Sequence, residues 1–597
     1  MGGNLQRGQE KPFKERFFPA PSALPHLFPN LFKLRFIFLS GAQKNKADEK
    51  FENRPKFSAS STDHALGYVL AGCAWVLILL AALMPLGGFW ITDGGNKAMV
   101  MENFQTYRSI AMRNPAAALD PANRFFPDAV FHFQRVGKAI YSVFPPYFPV
   151  LTAPLYQAFG PFGMILLPLA GAFLSLALTA GLMRRWRLRA PWLVAAACVA
   201  TPLVFYAVEF WEMTLGVAAV AAMFFLLDRK SDLAAGLALA LGLWFRPEMF
   251  FFAVIAGVVL LIADRRRAVR FGAGFLAGAA VYGLVQFLLF GSVLGIHGTT
   301  YAHTARRFFW NYYYYWFSCA PAELVLGAAA LAQGCFPRFR SFARGKLALA
   351  FAAAVWSGFR LARMLSFPEP VTGTIFSVGF FTTTPFVYWL AANWRPLWNA
   401  PVRKVRPAVR IAFLYTLVLP PLLTSSDLGI IWGARHGLFL MPLFVFLAWY
   451  AARSRAARAA VCGLFLFSMF FQWYGICLQR QMRARSLELA DFLRKNTEDV
   501  IVSDVFFLPM QTPKLFRERR WLFVKDDREL LDAVELLRAK RQPFALVRSA
   551  NPEYRRYGND AVRGLLEKIR VTEPPRRVRL PGTAFLECEV FRIREFR

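Results

Sequence analysis

The stretch ITDGGNKAMVMEN (residues 91–103) places a carboxylate, Asp93, at the exit of the first long apolar run, with Lys97 and Glu102 close behind. Similar polar insertions interrupt the later apolar runs. YAVEFWEMT (206–214) carries Glu209 and Glu212, WFRPEMF (244–250) carries Arg246 and Glu248, and GIHGTTYAHT (295–304) carries His297, Tyr301 and His303. GFRLARM (358–364) adds Arg360 and Arg363, SSDLG (425–429) adds Asp427, and WGARHG (432–437) adds Arg435 and His436. Carboxylates and imidazoles are the side chains that accept a proton from a hydroxyl, and guanidinium matches phosphate oxygens two at a time. Such a set suits deprotonation of a hydroxyl beside a bound anionic lipid headgroup. Each member also has a plainer reading. Asp-Gly is a common turn pair, so Asp93 fits a turn or a helix cap. Arg360 and Arg363 suit snorkelling to a membrane interface. Glu212 or His303, taken singly, is as readily a structural polar residue of a loop.

These side chains act together only if the elements carrying them converge. The chain has 597 residues, 56% of them hydrophobic, 62 of them Phe, and its mean hydropathy is +0.36. That composition points to a polytopic membrane protein. The net charge of +34 falls in short clusters between apolar runs, as in cytoplasmic loops under the positive-inside rule, and so argues against a nucleic-acid partner. The seven cysteines form no CxxC and no Cys/His ligand spacing, which suggests neither a disulfide framework nor a zinc site.

A charge at mid-bilayer costs on the order of 2.5–3.5 kcal/mol. The runs 191–227 and 233–263 therefore read as hairpins, with Glu209, Glu212 and Arg246-Pro247-Glu248 at their turns. Six basic clusters, at 184–189, 228–230, 264–270, 337–346, 395–410 and 452–458, are assigned to the cytoplasm. About thirteen spans satisfy them: 66–90, 162–183, 191–208, 211–227, 232–246, 248–263, 270–290, 320–335, 347–363, 371–391, 409–425, 436–451 and 458–477, each near the roughly 20 residues a crossing needs. SVFPPYFPVLTAPLYQAFG (142–160) is apolar but broken by four prolines, and is expected to lie along the membrane or re-enter it.

The predicted fold is an α-helical polytopic membrane protein with a small α/β C-terminal exterior domain. Residues 1–65 form a basic cytoplasmic extension, 66–484 the transmembrane domain with its first external loop at 91–160, and 485–597 the α/β domain. In that last region DVIVSDVFF, RRWLFV, PFALVRS and FLECEVFRI have the pattern of buried strands, and 527–540 and 558–569 have helical spacing. Asp504 stands at a strand end, where ligand sites can occur.

An acid just after the first span, a long external loop with VFPPYFPVLTAPLYQAFG, then TPLVFYAVEFWEMTLGVA, GLWFRPE and a closing soluble domain resemble the GT-C superfamily of integral membrane glycosyltransferases. Protein O-mannosyltransferases and lipid A aminoarabinose transferases are relatives in it. The resemblance covers roughly 66–590. It implies transfer of a sugar from a polyprenyl-phosphate carrier to a glycan, lipid or protein acceptor on the exterior face, usually with inversion, in a bacterial inner membrane with a cytoplasmic N-terminus and a periplasmic C-terminal domain. It implies that Asp93 is the catalytic carboxylate, acting as general base. Lys97, Glu209, Glu212, Arg246, Glu248, His297, His303, Arg435 and His436 are the expected donor-binding groups, with Arg246 and Arg435 foremost on the phosphate. The family often carries a second acid beside the first, where this chain has Gly94 and Gly95. Glu102 and Glu209 are the candidates to replace it, and the glycines allow close approach of backbone to substrate. The resemblance points to no definite cofactor, and a divalent metal is left open. The rival readings are a transporter or lipid flippase for envelope glycolipids, and an O-antigen ligase or polymerase-like enzyme.

Overall fold

The computed structural model describes residues 59–127, 132–188, 190–296, 316–317, 320–335, 343–366, 377–400, 405–422, 431–433, 435–549, 569–571, 576–579 and 587–596. His297, Tyr301, His303 and Asp427 lie outside the described residues, as do 1–58 and most of the helix expected at 558–569.

Helix α1 (Ala59–Ala82) enters first, and nine residues separate its end from α2 (Thr92–Tyr107). The strands β1 (Phe133–Val136) and β2 (Ala139–Ser142) form an antiparallel hairpin ahead of α3 (Tyr147–Phe159). The prolines of 142–160 do not break this last helix. Pro145 and Pro146 precede it and Pro149 lies in its first turn, where a backbone N–H is not required, so only Pro154 is interior. Gly160, at φ +59°, redirects the chain into α4 (Gly163–Arg185). Then follow α5 (Trp192–Val199), α6 (Leu203–Ala207), α7 (Met213–Asp228), α8 (Asp232–Leu243), α9 (Met249–Ala263) and α10 (Arg265–Phe290). Glu209 lies between α6 and α7, Glu212 caps α7, and Arg246-Pro247-Glu248 joins α8 to α9, so both expected hairpin turns form.

The second half contains α11 (Pro321–Cys335), α12 (Ala343–Ser366), β3 (Ser377–Val378), α13 (Phe380–Thr383), α14 (Phe386–Ala392), α15 (Trp394–Trp398), α16 (Val405–Leu422), β4 (Ile431–Trp432) and α17 (Met441–Ala451). Helix α18 (Arg455–Asn496) follows, 42 residues long. Among the described residues five helical stretches are long and apolar enough to cross a membrane: His64–Ala82, Tyr147–Arg185, Arg265–Phe290, Arg344–Ser366 and Arg455–Asn496. Other expected spans are shorter apolar helices or broken ones. The 191–208 span divides into α5 and α6 at Thr201–Pro202, and 371–391 contains α13 and α14, separated at Pro385. The outer faces of α1 and α10 present Tyr68, Trp75, Leu276 and Leu288, each more than half exposed. Water tolerates such continuous apolar surface poorly, and lipid does not penalise it.

Where the sequence suggests a span ending at 477 and a domain beginning near 485, α18 runs unbroken through both positions. It delivers the chain into a six-stranded mixed sheet of order β6-β5-β7-β10-β8, with β9 also pairing β10. The strands are β5 (Val500–Ser503), β6 (Arg520–Phe523), β7 (Phe544–Ser549), β8 (Ile569–Val571), β9 (Arg576–Arg579) and β10 (Glu587–Phe596). The first three are parallel, linked by α19 (Leu508–Gln511), α20 (Pro513–Glu518) and α21 (Asp527–Ala539). Ile501, Val505, Leu508 and Met510 share one core with Met99 and Val100 of α2 and Phe133 of β1, so the sheet and the first loop are packed as one body.

One stripe of α18 holds this body to the spans. Ser468, Gln472, Gln479, Arg483 and Ser486 are all buried at helical spacing. Gln472 Nε2 donates to the Thr383 carbonyl, Arg483 Nε and Nη1 donate to the Gly88 and Val208 carbonyls, and Ser486 Oγ donates to the Gln511 carbonyl.

Candidate active site

Asp93 lies in the first turn of α2, so it is neither a turn residue nor the helix cap, which is Ile91. A carboxylate there is favoured by the positive end of the helix. Lys97, one turn on, shares its face. Asn96 anchors the β hairpin: its Nδ2 donates to the His132 carbonyl (3.1 Å), and its Oδ1 accepts from Ser142 Oγ (2.5 Å). The anchoring brings His132 Nε2 to 3.1 Å from Thr92 Oγ1 and 3.9 Å from Asp93 Oδ1. On the other side of Asp93, Arg435 Nη1 stands 3.6 Å from Oδ2. The Asp93 side chain remains 17% exposed, more than its ionic neighbours.

Behind this pair runs a chain of alternating buried charges. Lys97 Nζ is 3.0 Å from Glu212 Oε2 and packs over the Phe144 and Trp211 rings, 4.8 Å from each centroid. Arg246 Nη1 donates to Glu212 Oε1 at 3.1 Å, while its Nε and Nη2 both bond the Glu248 carboxylate. His436 Nδ1 lies 2.9 Å from Glu248 Oε1, and Arg435 Nε lies 3.4 Å from His436 Nε2. This pattern assigns the imidazole proton to Nδ1, donating to Glu248, so that Nε2 accepts from Arg435. Glu248 thus orients His436, and His436 orients Arg435 toward Asp93. Removing one member of such a network leaves an uncompensated buried charge, at about 3–5 kcal/mol.

The structure therefore gathers Asp93, Lys97, Glu212, Arg246, Glu248, Arg435 and His436 in one cluster. Glu209 sits at its edge. Gln479 Nε2 donates to Glu209 Oε2 at 2.5 Å, and Glu209 Oε1 lies 3.2 Å from where a Cβ on Gly94 would be. The Glu209 carboxylate thus presses against the position where a side chain at 94 would begin. Gly95 packs on the chain itself rather than on a ligand: a Cβ there would fall 1.5 Å from the Met510 carbonyl oxygen of α19. Arg360 faces Glu323 at 3.6 Å in a separate cluster.

Glu102 is nine residues beyond Asp93, about two and a half turns, and so lies on the opposite face of α2. It cannot share a substrate with Asp93. Burial pushes its carboxyl up to about 7, against the pull of Arg517 and Lys514. The folded state thus holds this proton more tightly than the unfolded chain does. The stability it contributes is complete below about pH 4.5 and is lost as pH rises through 7, up to about 3 kcal/mol. Thermal unfolding between pH 5 and 8 should show Glu102→Gln losing less stability than wild type as pH rises. Parallel curves would disprove the assignment.

His132 was not singled out by its sequence, which shows one His in VFHFQ with no motif around it. Burial lowers its pKa against the opposing pull of Asp93, favouring neutral imidazole. Its ring lies edge-on to Phe144 and 6.4 Å from Phe506, at the carboxyl end of β5. Burial likewise lowers the Lys97 ammonium, opposed chiefly by Glu212. Gln479 and Arg483 were also missed, although a polar stripe at helical spacing inside an apolar helix is a readable signal.

Among the described residues no group of three His, Cys, Asp or Glu side chains could hold a metal ion. The cationic neighbours of Asp93 are Arg435 and Lys97, and His132, kept neutral by burial, stands beside them. A single carboxylate among cationic groups does not fit a divalent cation, and it does fit an anion approaching the guanidinium.

No family model matches the sequence, and neither does any curated protein. Among solved structures, the chain is similar to ArnT from Cupriavidus metallidurans bound to undecaprenyl phosphate, at 12% identity over 88% of this chain and 97% of that one, TM-score 0.43. It is similar also to apo ArnT from the same organism (12%, 89% and 98%, TM-score 0.45) and to the apo oligosaccharyltransferase of Archaeoglobus fulgidus (12%, 81% and 69%, TM-score 0.46).

Proposed function

We propose that this chain is a polytopic membrane glycosyltransferase of GT-C type. It would move a sugar from a polyprenyl-phosphate carrier to an acceptor hydroxyl on a glycan, lipid or protein at the periplasmic face. The observation that carries the reading is the pairing at the exposed end of the buried charge chain: a carboxylate able to take a proton stands 3.6 Å from a guanidinium able to hold a phosphate. The sequence resemblance to the superfamily supports the same reading.

In this mechanism Asp93 accepts the acceptor's hydroxyl proton as general base. The oxygen forms a bond to the anomeric carbon from the face opposite the carrier. The bond from that carbon to the phosphate oxygen breaks, and the electron pair leaves with the lipid phosphate. Arg435 is the better partner for that phosphate, because three nitrogens of Arg246 are already committed to Glu212 and Glu248. His436 and Glu248 hold Arg435 in place. Phe506, at the strand end beside His132, supports a role for the C-terminal sheet in contacting the acceptor.

The test is release of free polyprenyl phosphate from a carrier-linked sugar by the purified protein with an acceptor present. A transferase cleaves the carrier–sugar bond, whereas a transporter or flippase returns the donor intact. Donor recovered uncleaved across a panel of hydroxyl acceptors would overturn the reading. Arg435→Ala is expected to raise the donor KM about 10-fold or more, because a hydrogen bond to a charged group is worth roughly 1.5–3 kcal/mol. An unchanged KM would remove Arg435 from the phosphate site.

A further inference from the structure

Three of the six basic clusters converge on a cavity that the transfer reaction does not use. Helix α17 carries the chain away from His436, and its 11 residues span roughly 16 Å. At its far end lies a cavity of about 330 Å³, lined by Lys346 of α12, Trp389 of α14 and Asn393 just after it, Tyr450 of α17, and Arg453 and Ser454 between α17 and α18. That volume lies within the roughly 300–1,000 Å³ of small-molecule sites.

The chemistry of the lining is one-sided. The surrounding segments 343–346, 393–398 and 450–458 contain Arg344, Lys346, Arg395, Arg453, Arg455 and Arg458 and no carboxylate. Lys346 Nζ donates to Asn393 Oδ1 at 2.7 Å, which fixes the ammonium at the cavity wall. The guanidinium of Arg453 is exposed and makes no hydrogen bond or ion pair among the described residues. Ser454 caps α18, accepting from the Ala457 N–H, so the positive end of a 42-residue helix is also at this wall. Trp389 is 5% exposed, and its indole N–H is buried with no hydrogen-bond partner among the described residues. A buried donor without an acceptor is costly, by about 1–3 kcal/mol in general, unless something supplies the acceptor.

From this juxtaposition of Lys346, Arg453, the start of α18 and the unsatisfied Trp389 N–H, we infer that the cavity binds a phosphate-bearing anion, with the phosphodiester headgroup of an anionic lipid as its natural source. Phosphate oxygens complete the Trp389 hydrogen bond and neutralise the two side-chain cations. The aromatic and aliphatic walls take the glycerol part. This site stands apart from Asp93, and the proposal does not rest on the transfer reaction.

The test mixes the purified full-length chain, in neutral detergent, with phosphatidylglycerol or phosphatidylcholine and counts retained lipid by native mass spectrometry. Wild type should retain phosphatidylglycerol in preference. Lys346→Ala with Arg453→Ala should weaken that retention roughly 30-fold, taking about 1 kcal/mol per basic residue. Trp389→Phe, which keeps the ring and loses the N–H, should weaken it roughly 5-fold and guards against misfolding of the double variant. Inorganic phosphate forms the second arm. Displacement of phosphatidylglycerol by millimolar phosphate shows that the phosphate group suffices, and resistance to it shows that the glycerolipid is the ligand. Equal retention of the two lipids by wild type, or undiminished phosphatidylglycerol retention in both variants, would overturn the inference.

Discussion

Asparagine in place of Asp93 is expected to lower sugar transfer by about 10²–10⁴-fold, the usual contribution of a positioned general base, while leaving the chain folded. The two halves of this expectation have separate grounds. The carboxylate is partly exposed, and its nearest neighbours in the cluster, the Arg435 guanidinium and the His132 imidazole, stand at 3.6 and 3.9 Å, beyond hydrogen-bond length. Its removal should therefore cost little stability, and thermal unfolding should shift only slightly. On the proposed mechanism the loss should fall on kcat with the donor KM nearly unchanged, since asparagine keeps the shape and Arg435 would still hold the phosphate. That separates Asp93→Asn from Arg435→Ala, whose effect should fall mainly on KM. Turnover at the wild-type rate in folded Asp93→Asn protein would remove Asp93 from the mechanism.

The adjacent glycines should respond to alanine very differently. At Gly95 a methyl group would lie 1.5 Å from the Met510 carbonyl oxygen and 2.6 Å from its carbon. These are backbone atoms of α19, tied to the sheet core, and they cannot swing aside. Gly95→Ala must push α2 away from the sheet, at a cost above the roughly 1–3 kcal/mol of ordinary overpacking. The expected outcome is a large drop in unfolding temperature or a failure to purify as a monodisperse protein. At Gly94 the nearest atoms are Glu209 Oε1 at 3.2 Å and a Phe89 ring carbon at 3.3 Å, both side chains. Small shifts accommodate a methyl there, and alanine recovers up to about 1 kcal/mol of helix propensity. Gly94→Ala should thus fold, with its unfolding temperature near that of wild type. Equal behaviour of the two variants would contradict the packing of α19 on α2.

Much of the scaffold is legible along the chain. The polar pairs inside 191–227 and 233–263 mark turns because charge is expelled from an apolar environment, and those turns form where expected. The prolines of 142–160 crowd the start of α3, where a helix tolerates them, so they leave its 13 residues helical. The continuity of α18 is hidden by a change of composition, since apolar residues give way to charged ones with no proline between 455 and 496.

The site divides along the same line. Residue types and their order suffice to nominate Asp93, Arg246, Glu248, Arg435 and His436, because carboxylates, guanidiniums and imidazoles at the ends of apolar runs have few inexpensive roles. They do not decide the partners. Interaction between charges in a dry interior changes steeply over a few ångströms, and those distances are set by packing between elements hundreds of residues apart. Only the folded chain gives Lys97 to Glu212, spends Arg246 on two carboxylates, lays Glu209 against Gly94 and brings His132 from a hairpin to Asp93. The sequence by itself determined a membrane scaffold and the chemical groups at its edge. The tertiary structure decided that Asp93 and Arg435 face each other at the accessible end of that network, because every other charge in it is matched more closely within the interior.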